Sequence, residues 1–161
     1  MTTHFRALAG NVSLAQQQYI EVIADLIREK GQARTCDIAA TLKISMPSVS
    51  EVVRRLVDSG MVLRKSLHEI VLTSAGAALV QQLDRQQAAL RLFLSDILGL
   101  PANEADKRAC ELEHFVDAQV VERLLILGRF MAATDGKTVK QAWQRHLKKS
   151  LALGKRKAKK P

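Results

Sequence analysis

The stretch from Ala33 to Thr73, ARTCDIAATLKISMPSVSEVVRRLVDSGMVLRKSLHEIVLT, constrains this chain more than any other. Ile38, Ala39 and Leu42 share one face of a short helix over Cys36–Leu42, and Lys43-Ile44-Ser45 reads as a turn. Pro47 suits the first turn of the next helix, about Met46 to Ser59, where a missing N–H costs nothing. Val49, Val52, Val53 and Leu56 make that helix's buried stripe. Its other face carries Ser48, Ser50, Glu51, Arg54 and Arg55, all able to hydrogen-bond phosphates or base edges. Gly60 stops the helix. Met61–Arg64 and Ile70–Thr73 then read as two strands around the polar tip Lys65–Glu69. Helix, tight turn, helix and a two-stranded wing form a winged helix-turn-helix, and the pattern points to binding of double-stranded DNA.

Around this segment the chain is helical. Ser13 is placed to cap a first helix, Leu14 to about Glu29, with Tyr19, Ile20, Ile23, Leu26 and Ile27 as its apolar stripe and Gly31 at its end. Thr73 or Ser74 opens a long helix to about Leu98, broken by Gly99-Leu100-Pro101. A polar helix follows from about Ala102 to Phe115. Asp117 caps another, Ala118 to about Met131. Thr134-Asp135-Gly136 reads as a further break before a last basic helix, about Thr138 to Leu151. The expected fold class is therefore mainly α, a winged helix-turn-helix followed by an all-helical dimerisation domain. The expected boundaries are 1–73 for the DNA-binding domain, 74–151 for the helical domain and 152–161 for a basic disordered tail.

At 161 residues there is room for one good core or two small ones sharing a helix. No apolar run approaches the roughly 18 residues of a membrane span. The N-terminus lacks the regions of a signal peptide, so a cytoplasmic protein without a membrane partner is expected. The net charge of +9 is unevenly spread: ten Lys or Arg and no acid follow from Lys137, whereas residues 1–136 hold fifteen basic and sixteen acidic residues. Two bulky apolar helices in the C-terminal half exceed what a small monomeric core can use, which predicts a homodimer. Two linked readers would engage half-sites of a palindromic operator about one helical turn apart.

Cys110, Glu113 and His114 fall at i, i+3 and i+4, on one face of a single helix. Thiolate, carboxylate and imidazole together offer three metal donors, and Glu21 on the first helix is the candidate for another. Against this stands the plain alternative of a small core cysteine beside a solvated Glu-His pair. No Gly-rich phosphate loop, zinc-protease motif or Ser/His/Asp set accompanies the triplet, so no enzyme is expected. His4, His68 and His146 are scattered and read as surface residues. Trp143 is expected to anchor the last helix.

The order and spacing of QYIEVIADLIREKGQARTCDIAATLKIS, PSVSEVVRRLVDSGMV, VLTSAGAALV, FLSDILGL and ACELEHFVD resemble the diphtheria-toxin-repressor family of metal-dependent regulators. The likeness is to its short form, like the manganese transport regulators, which lacks the third, SH3-like domain. It covers roughly Gln17 to Phe130 and implies a metal-responsive repressor with iron(II) or manganese(II) as cofactor. Glu21, Glu113 and His114 match the family's ligand positions. Cys110 stands where iron-type members have cysteine and manganese-type members glutamate. Gln18 and Gln87 depart from the pattern: the first replaces an aspartate or methionine, the second a histidine on the long helix. A neutral amide is a weaker donor than either ionised group or imidazole, so the resemblance implies one metal site rather than two. Hard oxygen donors suit manganese, whereas thiolate with imidazole favours iron(II), cobalt or zinc, and the set leans to iron(II) over manganese(II). Binding would weaken as pH falls, since Cys110 must ionise and His114 stay neutral.

By the same resemblance the reader helix lies in the major groove. Pro47, Ser48 and Ser50 then fall nearest the bases, Arg54 and Arg55 towards the backbone, and Arg34, Arg64 and Lys65 against phosphates. A metal-independent family member with a decayed metal site is one alternative, and a regulator of the multiple-antibiotic-resistance type, which shares the wing and dimer helices, is the other. In that case the Cys110–His114 motif has no role.

Overall fold

The computed structural model describes residues 12–66 and 69–157, which form two compact units divided between Leu83 and Asp84. His4, His68 and the last four residues lie outside the described residues. Among the described residues there are seven α-helices and three short strands.

The first unit opens with α1, Leu14–Lys30. Ser13 closes a reciprocal capping box: its Oγ accepts from the Gln16 N–H at 3.3 Å, and its own N–H donates to Gln16 Oε1 at 2.8 Å. Gly31, at φ 74°, ends the helix in the left-handed conformation. Strand β1, Ala33–Arg34, leads into α2, Thr35–Leu42, and α3, Met46–Asp58. Strands β2, Val62–Arg64, and β3, Glu69–Leu72, complete the wing. The sheet has three strands in the order β1-β3-β2, all antiparallel, with Ala33 opposite Ile70 and Val62 opposite Leu72. The expected two-stranded wing is present as β2 and β3, and β1 is a further strand that the sequence did not announce. Two residues cannot show alternation, so β1 becomes a strand only through its partner β3.

Ile20, Ile23, Ile38, Val49, Val53, Leu56, Val62 and Ile70 fill the core of this unit and are all but inaccessible to solvent. The first turns of α4, Ser74–Leu92, add Leu79, Val80 and Leu83, which carries the compact unit ten residues past the expected boundary at Thr73. Thr73 fixes the start of α4. Its Oγ1 donates to the Gly60 carbonyl at 2.7 Å and accepts from the Gly76 N–H at 3.1 Å.

In the second unit α4 widens into a π-helical stretch, Phe93–Ile97, before Gly99 turns the chain. Helix α5, Ala102–Leu112, tightens into a 3-10 turn over Glu113–Phe115. Asp117 caps α6, Ala118–Ala132, accepting from the Val120 N–H at 2.9 Å. Helix α7 spans Thr134–Lys157. The core is small: Leu90, Leu94, Ala105 and Ala109, with Phe93, Leu98, Val116 and Leu124 packed on it.

Two expectations about the last helix are corrected. The break falls at Ala133, whose ψ is 162°, and the helix starts at Thr134 rather than Thr138. Gly136, taken for a breaker, is buried inside the first turn, where a Cβ would lie 1.8 Å from the Phe130 carbonyl oxygen. The helix also runs past Leu151, since the chain offers no proline before Pro161. Trp143 anchors it as expected, donating from Nε1 to the Ile97 carbonyl at 2.6 Å. Gln144 takes the Asp96 carbonyl at 3.1 Å, and Lys140 pairs with the Asp96 carboxylate at 3.1 Å. Side chains of α7 thereby satisfy carbonyls that the end of the π stretch leaves open.

Candidate nucleic-acid interface and metal centre

The reader is built from its turn outward. Lys43 occupies the left-handed region at φ 57°, which lets α3 leave α2 sharply. Ser45 then caps α3. Its Oγ lies 3.4 Å from the Ser48 N–H and 2.8 Å from the Ser48 hydroxyl. Sequence reasoning passed over Ser45, although a serine just before Met-Pro is itself a helix-start signal. The stripe Val49, Val53 and Leu56 is buried as expected, leaving Pro47, Ser48, Glu51, Arg54 and Arg55 exposed and Ser50 half-buried.

The cations of this face are held but accessible. Arg55 pairs with Glu51 one turn earlier, and Arg54 lies 3.6 Å from Asp58. Arg34 donates to Gln32 Oε1 at 3.2 Å, and Lys65 on the wing pairs with Glu69 at 3.4 Å. Arg64 is exposed beside it. Exposed pairs of this kind contribute about 0–1 kcal/mol, so these cations can exchange a carboxylate for a phosphate at little cost.

Among the expected metal ligands, Glu113 and His114 stand together in the second unit. The Glu113 side chain is 2% exposed and that of His114 8%, and Glu113 Oε1 lies 3.9 Å from His114 Nε2. Burial holds the His114 imidazole below the usual histidine range. It is therefore neutral at pH 7 and can offer a ring nitrogen lone pair. A buried carboxylate beside a neutral imidazole is a donor set that fits a divalent cation, whose charge offsets the cost of burying the carboxylate.

Cys110 precedes the pair on α5 and is exposed. The α-helix changes to 3-10 geometry right after Leu112, so the three residues span a change of helical form rather than one regular α-helix. Glu21 is half-buried on α1, Gln18 is exposed there, and Gln87 is half-buried on α4.

One contributor had no signal in the sequence. Gln86, on α4 and 5% exposed, donates from Nε2 to the Val116 carbonyl at 2.7 Å and so pins the extended residue leaving the Glu113–Phe115 turn. Gln86→Leu should cost about 1–3 kcal/mol by leaving that carbonyl without its donor. It should also weaken manganese(II) binding measured by titration calorimetry. An unchanged metal affinity would make Gln86 a purely structural residue.

Two family models match the chain. "Iron dependent repressor, N-terminal DNA binding domain" covers residues 12–66, and "Iron dependent repressor, metal binding and dimerisation domain" covers residues 73–136. The transcriptional regulator MntR of Escherichia coli O6:H1 is 34% identical over 104 residues, 65% of this chain and 66% of its own length. MntR of Salmonella typhimurium is 33% identical over 107 residues, 66% of this chain and 68% of its own. The diphtheria toxin repressor of Corynebacterium diphtheriae is 30% identical over 109 residues, 68% of this chain but 48% of the relative.

Among solved structures, the manganese regulator SloR superposes with a TM-score of 0.57 at 31% identity, covering 68% of this chain and 51% of that one. T. acidophilum IdeR, at 24% identity and a TM-score of 0.61, covers 70% of this chain and 53% of its own and shares the fold. The aligned stretch thus spans about two thirds of the MntR proteins' length and about half of that of the diphtheria toxin repressor, SloR and T. acidophilum IdeR. These matches do not favour the multiple-antibiotic-resistance alternative. The chain belongs to the iron-dependent repressor family.

Proposed function

We propose that the protein is a metal-responsive transcriptional repressor that binds a palindromic DNA operator as a homodimer in the cytoplasm and catalyses no reaction. The observation that carries this reading is the buried Glu113–His114 pair in a chain that also presents an exposed, capped reader helix. Residues 1–73 serve DNA binding, 74–151 metal binding and dimerisation, and 152–161 a basic extension. Ser48, Ser50 and Pro47 face the bases, while Arg34, Arg54, Arg55, Arg64 and Lys65 hold phosphates.

Glu113 and His114 form the heart of the metal set, completed by Glu21 and Cys110. The bound ion supplies positive charge against the buried carboxylate and a link between the residues that hold it. An oxygen and imidazole set takes iron(II) or manganese(II), and participation of Cys110 tips the choice to iron(II). Dimerisation is supported by apolar side chains left open in the second unit: Ile126 is 50% and Phe130 47% exposed on α6, beside Leu125. Among the described residues no helix is long and apolar enough to cross a membrane.

The test is a fluorescence-anisotropy titration on a duplex selected from a random library, with metal-stripped protein and then with either ion. Tightening of about 5–150-fold is expected, the range of ordinary coupling free energies. Equal affinity with and without both ions would sink the metal switch and leave a DNA-binding dimer under some other control.

A further inference from the structure

Helix α7 lies almost wholly beyond the matched family domains, which end at residue 136. All ten cations from Lys137 onward belong to it or to the residues after it, and no Asp or Glu follows Asp135 in its first turn. Its two faces differ. Trp143 is tied to the Ile97 carbonyl, and Leu147 lies against Gly99, where a Cβ would meet its Cδ2 at 3.5 Å. Lys137, Arg145, Lys148 and Lys149 are exposed, and at 3.6 residues per turn they fall within about 120° of arc on the side away from Trp143 and Leu147. Among the described residues, no carboxylate lies within ion-pair distance of any of the four. The cation that is paired, Lys140 with Asp96, sits on the docked side.

We propose that this face of α7 is a second DNA-contacting surface, binding backbone phosphates without reading sequence. The inference rests on the DNA-binding reading above and assigns it a further contact. Charge complementarity identifies the occupant. Four unpaired cations follow one another over about 18 Å of helix at 1.5 Å per residue, a length over which duplex DNA presents about ten phosphate charges. A lipid surface fits less well, because helices that lie in membranes bury a free apolar face, and the centre of this helix's apolar stripe is already engaged. Residues 1–136 carry sixteen acids against fifteen bases, so the chain's net positive charge resides here, although the reader keeps a local excess of eight cations over four acids from Arg28 to Lys65.

The experiment uses the full chain with manganese(II) and a labelled duplex of mixed sequence, titrated between about 50 and 200 mM salt. Wild type is compared with Lys137→Gln/Arg145→Gln/Lys148→Gln/Lys149→Gln, and with the two halves Lys137→Gln/Lys148→Gln and Arg145→Gln/Lys149→Gln in case the fourfold variant folds poorly. Each phosphate contact contributes about 0.9 to the slope of log affinity on log salt. The fourfold variant should lose at least about 1.8, the equivalent of two contacts, and each half a part of that. An unchanged slope overturns the proposal; if wild type also binds vesicles of mixed phosphatidylserine and phosphatidylcholine, the face belongs to a membrane surface instead. An unchanged slope in the α7 variants with a reduced one in Arg54→Gln/Arg55→Gln defeats this proposal alone. Wild type that binds no duplex defeats both readings.

Discussion

Replacing Glu113 or His114 with alanine is expected to lower metal affinity by at least about 100-fold, above the 10–100-fold typical of losing a residue that merely supports a ligand. The two side chains are buried side by side, with the imidazole held neutral by its surroundings. Removing either takes away one of the two buried donors of the set. Melting temperature separates this from simple damage to the fold. In wild type, a metal at 100 times its dissociation constant adds about 2.7 kcal/mol of stability through linkage. For a chain of this size that corresponds to roughly 5–10 °C. In either variant the increment should vanish. The metal-free Glu113→Ala protein should melt close to wild type, because a buried carboxylate is costly to desolvate and its loss offsets the cavity it leaves. DNA affinity should become the same with and without metal in both variants. A variant that keeps the metal-induced rise would remove Glu113 and His114 from the site.

Punctuation residues made much of this fold legible. Ser13, Gly31, Pro47, Gly60 and Asp117 each do locally what their chemistry demands, so helix ends over 13–60 and at 117 could be placed from sequence. Failures arose wherever a residue answers to a distant part of the chain. Strand β1 exists through β3, and Gly136 is glycine because the Phe130 carbonyl leaves no room for a Cβ. The candidate site shows the same divide. Glu113 and His114 stood out as candidate donors by type and spacing, whereas the change from α to 3-10 geometry after Leu112 left no mark in the sequence. Gln86 reaches across thirty positions to Val116, and an isolated glutamine carries no pattern that would mark it.

The same tertiary logic predicts opposite outcomes for one substitution at two helical glycines. At Gly76, in the first turn of α4, an added Cβ would lie 2.1 Å from the Met61 carbonyl oxygen and 3.3 Å from Leu72 Cδ2. Neither the Met61 backbone nor the Gly76 backbone can rotate away as a flexible side chain would, so α4 must shift from the wing. Such overpacking costs about 1–3 kcal/mol, occasionally more. The shift also pulls the Gly76 N–H from Thr73 Oγ1, and losing a helix cap costs roughly another 1 kcal/mol. Gly76→Ala should therefore lower the melting temperature by roughly 5–15 °C. At Gly128, inside α6, nothing stands within 4 Å of the added Cβ. Alanine there should raise stability by about 0.5–1 kcal/mol, since glycine costs that much in a helix interior. Thermal unfolding followed by circular dichroism compares the two directly. If both variants shifted the same way, the close approach of α4 to the Met61 carbonyl would not be what holds glycine at position 76.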